Sequence, residues 1–187
     1  MTDCATATIR TATAADAAAI ARVHVETWRD AYAGLIPNQV LLKMSHRDHV
    51  AMWSAELARG RGANMVIVAH EARAGVVRFG SCGRARGSDL PYAGEVYTLY
   101  VHPDFQEMAI GRRLLDALFH RLLEDGFRSA LVWVLAGNPA RFFYQAMGGT
   151  HVAVRTERLW GTALKEMAYG WADISQAVGR PGSRSTV

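Results

Sequence analysis

The residues with the clearest chemical meaning lie between a predicted strand and a predicted helix, in Val101–Leu115 (VHPDFQEMAIGRRLL). The helix is expected to begin near Ile110 with no Ser, Thr, Asp or Asn immediately before it, so several first-turn N–H groups lack a side-chain acceptor. Arg112 and Arg113 then fall in a first turn where the helix dipole disfavours cations. Free amides, a positive dipole end and arginines together favour a site that binds pyrophosphate. Gly111 would let this ligand approach the backbone closely. The alternative is a water-capped helix start with two surface arginines.

Other kinds of chemistry have less support. Cys4 and Cys82 form no motif with a histidine, so neither is expected to be a nucleophile, and no Cys/His spacing predicts a metal site. The net charge of +4 comes mainly from arginine, which suits phosphate contacts but equally reflects the codon bias of a GC-rich genome. The arginines are scattered, unlike a nucleic-acid-binding run. Without a signal peptide or a membrane-spanning apolar stretch, we expect a soluble, cytoplasmic protein with no nucleic-acid or membrane partner.

Hydrophobic spacing predicts the elements that must position this loop. The expected strands are Thr6–Thr11, Asn64–Glu71, Val76–Arg84, Gly94–Val101, Ser129–Leu135, Thr150–Arg158 and Ala163–Trp171. The expected helices are Ala14–Tyr32, Asn38–Leu42, His46–Arg59, Ile110–Asp125 and Pro139–Met147. The strand–helix–strand unit over residues 95–135 should be a right-handed crossover between parallel strands. The fold class is therefore mixed α/β.

Two helices carry distinct end signals. Thr13-Ala-Ala-Asp16 forms a capping box for the first helix, with Asp in place of the more usual Glu. Ile110–Asp125 carries an apolar stripe, and Gly126 fits the position just after its end. The chain has 187 residues, half of them hydrophobic, which suffices for one core. We therefore expect a single domain over residues 1–174 and a disordered polar tail over residues 175–187.

Three segments in the same order resemble the GNAT N-acetyltransferase superfamily. GEVYTLYVHPDFQEMAIGRRLL, at residues 94–115, resembles its acetyl-CoA-binding motif, Gln/Arg-x-x-Gly-x-Gly/Ala, with Gln106, Ala109 and Gly111 at the three defining positions. Ala109 departs from the usual Gly. LVWVLAGNPARFFYQAMGG, from Leu131, resembles the second motif, and HVETWRDAYAGLIP, from His24, resembles the first helix of small bacterial members.

The resemblance implies a fold and a co-substrate. The fold is a mostly antiparallel twisted sheet of about six or seven strands, flanked by helices, whose fourth and fifth strands splay apart, often with a bulge in the fourth. Acetyl-CoA would be the co-substrate, with no metal. The implied cofactor-binding residues are Leu99, Tyr100 and Val101 for pantetheine, Gln106, Glu107, Met108, Ala109, Ile110, Gly111 and Arg112 for pyrophosphate, and Asn138 and Arg141.

The implied reaction is direct attack of a neutral amine on the thioester. Alkylamines have a pKa of about 10.4, so a proton acceptor is needed. We expect this to be Glu95, at the start of the fourth strand and on the same face as Tyr97 and Leu99. The alternatives are a surface role for this carboxylate, a water chain, or Glu26 or His102 as the base.

The resemblance also implies a proton donor and a substrate wall. Tyr144 matches the family's tyrosine near the sulfur, and its phenol would protonate the CoA thiolate. The alternative is that Phe142, Phe143 and Tyr144 only pack. The substrate-binding candidates are Trp28, Tyr32 and Tyr97, which could equally belong to the core.

Three functions follow from these residues. The first is acetylation of a small-molecule amine or a polyamine, which the helical insert at residues 34–62 favours because it would close the site. The second is acetylation of a protein N-terminus or lysine, which needs an open groove. The third is a non-catalytic acyl-CoA sensor, consistent with Ala109. A homodimer is compatible with the sequence.

Overall fold

The structure is a computed structural model that describes residues 7–59, 64–87, 89–101 and 108–179. Its strands are β1 (Thr8–Thr11), β2 (Met65–Glu71), β3 (Gly75–Arg84), β4 (Gly94–Val101), β5 (Ala130–Leu135), β6 (Thr150–Leu159) and β7 (Thr162–Trp171). Its helices are α1 (Ala17–Ala31), α2 (Asn38–Lys43), α3 (His46–Ala58), α4 (Met108–Glu124) and α5 (Ala140–Ala146). Each predicted strand and helix is present in the predicted order.

The seven strands form one sheet in the order β1-β2-β3-β4-β5-β7-β6. Neighbouring strands are antiparallel except β4 and β5, which are parallel and are connected through α4. The predicted mixed α/β class and the mostly antiparallel sheet are therefore confirmed.

Helix α4 packs on one face of the sheet and supplies most of the core there. Leu114, Leu118 and Leu122 of the predicted stripe are fully buried against sheet residues such as Val96. Burying one leucine contributes about 1.5–3 kcal/mol. The helix ends before Gly126, whose φ of 86° is the left-handed conformation that glycine adopts without strain.

Helix α4 begins earlier than the sequence predicts, and this changes the positions of two arginines within it. The helix begins at Met108 rather than near Ile110, so Arg112 and Arg113 lie in its second turn and not its first. The helix dipole acts mainly on the terminal turn, so it gives these arginines no special need of an anion. The Arg113 guanidinium instead donates a hydrogen bond of 2.9 Å to the carbonyl of Ala7.

Helices α1 and α3 pack on the opposite face. Ile20 and Val23 of α1 and Trp53 of α3 form a buried cluster with Phe79 of β3. The predicted capping box is present in the single 3₁₀ turn, Ala14–Asp16, that precedes α1. Because α1 is fixed at its start and packed along its length, the positions of its later residues are also fixed.

The C-terminal segment is ordered further than predicted. Ser175 and Gln176, which the sequence analysis assigned to a disordered tail, belong to a 3₁₀ turn at Ile174–Gln176. Ile174 is fully buried in the α4 cluster and holds this turn on the core. Residues 180–187 lie outside the described residues.

Replacing Asp16 with Asn should destabilise the fold in a pH-dependent way. The Asp16 carboxylate accepts hydrogen bonds from the Arg10 guanidinium at 2.8 and 2.9 Å and from the Thr13 backbone N–H at 2.7 Å. These contacts, led by the Arg10 hydrogen bonds, hold its pKa well below the usual range. We expect Asp16→Asn to lower the free energy of unfolding by about 1–2 kcal/mol at pH 7.

The sign of the pH dependence follows from the lowered pKa. The contribution of Asp16 is complete above the unfolded-state pKa of about 3.9 and is lost as the pH falls toward the folded-state value. Urea denaturation at pH 7 and pH 3 should therefore show the difference between wild type and Asp16→Asn narrowing at the lower pH. The exposed Asp89 provides the control, Asp89→Asn, for which we expect little change. A difference that stays constant with pH would contradict this assignment.

Candidate active site

Strands β4 and β5 are paired over only three positions. Gly94, Glu95 and Val96 pair with Ala130, Leu131 and Val132, in that order. β4 nevertheless continues to Val101 and β5 to Leu135. Beyond the third pair, the facing backbone edges do not bond to each other, so an extended ligand can lie between them as an added strand. The splay that the family resemblance implied is therefore present.

A β-bulge lies where the strands part. Ser81 of β3 pairs with Thr98, whereas the next residue, Cys82, pairs with Val96, so Tyr97 is an extra residue on β4. The Ser81 and Thr98 hydroxyls are 2.7 Å apart and hydrogen-bonded. A bulge bends its strand and increases the local twist, which turns β4 away from β5 at this point.

The bulge also changes which side chains share a face. Leu99 packs with the α4 cluster, whereas Tyr100 packs on the α1 and α3 side, with its ring centroid 5.4 Å from that of Phe79. Strict alternation along β4 predicts that Glu95, Tyr97 and Leu99 share one face. This is wrong for Leu99, because the extra residue reverses the alternation after Tyr97.

The gap between the strands opens into a cavity of about 500 Å³. Its wall includes Leu99 and Tyr100 of β4, Val132 and Val134 of β5, Gly111 of α4 and Phe143 of α5. The volume falls in the range typical of small-molecule and cofactor sites, and the mostly apolar wall suits a flexible chain with few charges.

The first turn of α4 closes one end of this cavity. Gly111 is buried there, and a Cβ on it would lie 3.4 Å from Phe143 Cε2, so α4 and α5 approach closely at this point. Ile110 is buried beneath the turn and Ala109 is exposed. The first-turn N–H groups have no intrahelical acceptor, so an anion at this end would meet free amides. Gln106 and Glu107 lie outside the described residues.

Arg112 and Arg141, predicted to bind the cofactor at a phosphate or, for Arg141, at a phosphate or the adenine, lie on elements that bound the cavity, but neither lines its wall. Arg112 is half-buried and interacts electrostatically with Asp116. The Arg141 guanidinium lies over the Phe142 ring, 4.4 Å from its centroid. Their contacts with the cofactor stay predictions.

Three tyrosines and an asparagine gather on the cavity wall: Tyr32, Tyr100, Tyr144 and Asn138. Burial raises the pKa of Tyr144, and the nearby Tyr32 raises it further. Burial also raises the pKa of Tyr32, partly offset by hydrogen bonds to Tyr100 and Asn138. The Tyr144 phenol therefore stays protonated at neutral pH and can donate a hydrogen bond to an atom in the cavity. The Asn138 side-chain oxygen accepts a hydrogen bond of 2.9 Å from the Ala140 backbone N–H.

Glu95 is buried at the start of β4, and both of its carboxylate oxygens bind Arg86. One accepts a hydrogen bond of 2.8 Å from the Arg86 backbone N–H, and the other lies 3.0 Å from its guanidinium. The same guanidinium lies 3.7 Å over the Tyr97 ring centroid. Glu95 does not line the 500 Å³ cavity. Of the alternative bases, Glu26 is half-buried on α1 and His102 lies outside the described residues.

The aromatic residues predicted to bind substrate line three adjacent cavities. Tyr32 and Tyr97 line the 500 Å³ cavity, Tyr97 and Trp28 line a second of about 270 Å³, and Trp28 also lines a third of about 590 Å³. The structure adds His24 and His49, which the sequence analysis did not assign. The position of His24 at the site could have been predicted from the sequence. His24, Trp28 and Tyr32 are four residues apart, so they share one helix face.

The described residues offer neither a reactive thiol nor a metal-binding group in this region. Cys82 is fully buried, and burial raises its thiol pKa to about 12, so it is not a nucleophile. Within the described part of the chain, no three His, Cys, Asp or Glu side chains are grouped to hold a metal. None of the helices in the described ranges is long and apolar enough to cross a membrane.

Comparisons with known proteins agree with this geometry. The model of the acetyltransferase (GNAT) family matches residues 23–149. A Bacillus subtilis (strain 168) protein, Uncharacterized N-acetyltransferase YuaI, is 35% identical over 168 residues, which cover 90% of this chain and 94% of that protein.

Two solved structures share the fold. The paiA N-acetyltransferase of Thermoplasma acidophilum, in complex with coenzyme A, has a TM-score of 0.65 at 18% identity and covers 87% of this chain and 98% of its own. The yncA structure from Salmonella typhimurium, which contains its cofactor acetyl-CoA, has a TM-score of 0.65 at 23% identity. The match covers 97% of this chain and 99% of that one.

The chain therefore belongs to the GNAT acetyltransferase family. It is an N-acetyltransferase that uses acetyl-CoA as co-substrate, rather than the non-catalytic sensor considered as an alternative. The residues present fit this co-substrate, because the cavity between β4 and β5 accommodates an extended arm and Gly111, in the first turn of α4, lines its end.

A larger side chain at Gly111 should block coenzyme A binding. Gly111→Leu places a branched side chain into the end of the cavity, so we expect the Kd for coenzyme A, measured by calorimetry, to rise at least about tenfold, which corresponds to about 1.4 kcal/mol. Gly111→Ala is the control, because its Cβ would make only an ordinary contact with Phe143. Tight binding by a correctly folded Leu variant would show that the cofactor does not pass this turn.

Proposed function

We propose that the protein acetylates a primary amine of a small molecule or a polyamine. The observation that carries this proposal is the connection between the cavities. The 270 Å³ cavity shares Tyr97, Thr98 and Tyr100 with the cofactor cavity, and its other side shares His24, Trp28 and Met52 with the 590 Å³ cavity. An amine entering through the larger cavity would reach the bulge of β4 from the side opposite α4.

The lining of this entry supports a small amine as the acceptor. Helices α1, α2 and α3 supply most of the residues around the 590 Å³ cavity, and Trp160, at the turn between β6 and β7, closes another side. These elements meet around an open depression, and its support for a small amine lies in its aromatic lining. Trp28 and Trp160, with ring centroids 6.1 Å apart, offer ring faces to an alkyl or cationic amine.

The chemistry assigns separate tasks to the residues on the two sides of β4. Bound acetyl-CoA supplies the acetyl thioester and the thiolate leaving group. On the cofactor side, the protonated Tyr144 phenol holds a proton for the sulfur. On the other side, the amine must lose a proton before it attacks, because alkylamines have a pKa of about 10.4. For Glu95 to accept this proton, a water molecule must link its Arg86-bound carboxylate to the amine.

A two-stage experiment tests the function itself. Calorimetry should first detect acetyl-CoA binding to the purified protein. Thiol release should then be measured with a panel of amines, polyamines, amino acids, aminoglycosides and lysine-containing peptides, and we expect turnover with small amines and none with peptides. Turnover with the lysine-containing peptides but with none of the small amines would contradict this proposal and indicate protein acetylation.

Removing the Tyr144 hydroxyl should slow turnover without weakening cofactor binding. We expect Tyr144→Phe to lower kcat by about ten- to a hundredfold, the usual contribution of a positioned proton donor, with the Kd for acetyl-CoA nearly unchanged. Tyr92→Phe is the control, since Tyr92 packs against Gly170 and lines none of the three cavities. If kcat of Tyr144→Phe equals that of wild type, Tyr144 has only a packing role.

A further inference from the structure

Two histidines that the proposed mechanism does not use face each other across the amine entry. His24 on α1 and His49 on α3 both line the 590 Å³ cavity. Their ring centroids are 4.7 Å apart and the rings meet nearly edge-on. Each ring has one nitrogen bound to a partner of known polarity, so the partners determine which nitrogen carries the proton.

His24 has its proton on Nε2 and does not act as a base. Its Nδ1 lies 3.1 Å from the Trp53 indole N–H, which can only donate, so Nδ1 is the acceptor and the proton is on Nε2. Burial, and then the neighbouring His49, lower the His24 pKa to about 3. Its only ring lone pair is occupied, and the ring stays neutral at physiological pH.

His49 has the opposite tautomer. Its Nδ1 lies 2.8 Å from the backbone carbonyl of Ser45, which can only accept, so Nδ1 carries the proton. Ser45 is the N-cap of α3, and its carbonyl also receives the His49 backbone N–H at 3.1 Å. The ring is thereby held in one orientation, with the lone pair on Nε2.

No other side chain of this cavity can take a proton as readily. A lysine ammonium is a donor with no acceptor, the Gln39 amide is not basic, and no carboxylate is among the described residues that line this cavity. Imidazole is the side chain best suited to accept and release protons near neutral pH. His24 lies between His49 and the cofactor cavity: its ring centroid is 4.7 Å from that of His49 and 5.1 Å from that of Tyr100, which lines that cavity. An amine would therefore pass His49 on its way to the thioester.

We infer that His49 Nε2, rather than Glu95, accepts the proton that the amine loses before it attacks, because His49 lines the entry and Glu95 lines none of the three cavities. This inference rests on the proposed function, since it assumes an amine in this entry. An alkylammonium loses two protons in becoming an amide. The first breaks an N–H bond and forms the Nε2–H bond of His49, which then releases it to solvent. The second proton leaves the nitrogen as the N–C bond forms and the C–S bond breaks. Tyr144 gives its own proton to the sulfur, and the second proton from the amine replaces it.

Variants of His49 test this role by kinetics. His49→Asn keeps an N–H donor for the Ser45 carbonyl but lacks Nε2, and His49→Ala leaves space for added imidazole. We expect each to lower kcat at pH 7 by about ten- to a hundredfold. The Kd for acetyl-CoA, measured by calorimetry, should stay unchanged and show that the variants fold. Imidazole should restore part of the activity of His49→Ala, with a reaction lacking amine as the blank. His46→Ala, an exposed histidine of the same helix, is the control and should behave as wild type.

NMR gives a readout that does not depend on activity. Long-range ¹H–¹⁵N correlation spectra of the free protein should show the Nδ1–H tautomer for His49 and the Nε2–H tautomer for His24. The opposite tautomer at His49, or an active wild type whose His49 variants keep full kcat, would overturn the inference alone. A wild type that binds acetyl-CoA but acetylates no amine of the panel overturns the proposed function, and the inference with it.

Discussion

The parting of β4 from β5 is the constraint on which the site depends. Parallel strands normally continue to hydrogen-bond along their length, and these stop after Val96 and Val132. The extra residue Tyr97 of β4 causes the bend, because β4 stays paired with β3 both before and after this residue. Without that bend, the backbone edges would bond to each other, and no gap would exist for an extended cofactor.

The same bulge links the two halves of the reaction. By reversing the alternation of β4, it turns Leu99 toward α4 and Tyr100 toward α1, so neighbouring residues face different compartments. One strand thus lines both the 500 Å³ cofactor cavity and the 270 Å³ cavity, which is the inner part of the path proposed for the amine. Two substrates bound on either side of a single strand are held close together, and such positioning supplies a large part of the rate enhancement in two-substrate reactions.

Burial determines the charge state of the site. The phenols of Tyr32, Tyr100 and Tyr144 have raised pKa values and His24 has a lowered one, and in each case desolvation is the largest cause. These four side chains therefore stay neutral at physiological pH and act as hydrogen-bonding groups. In a site of low polarity, neutral and oriented donors stabilise developing charge without a large reorganisation on binding.

Local patterns in the sequence determined the order of elements, the capping box at Thr13, the buried stripe of α4 and the family motifs, because these depend on residues close together in the chain. They also indicated Tyr144 and Asn138, which the structure brings to the same cavity. The tertiary structure decided what local spacing cannot encode: the face of Leu99, the binding of Glu95 by Arg86, and the meeting of His24 with His49. Each depends on strand register or on the packing of separate elements, and these are set only when the whole core assembles.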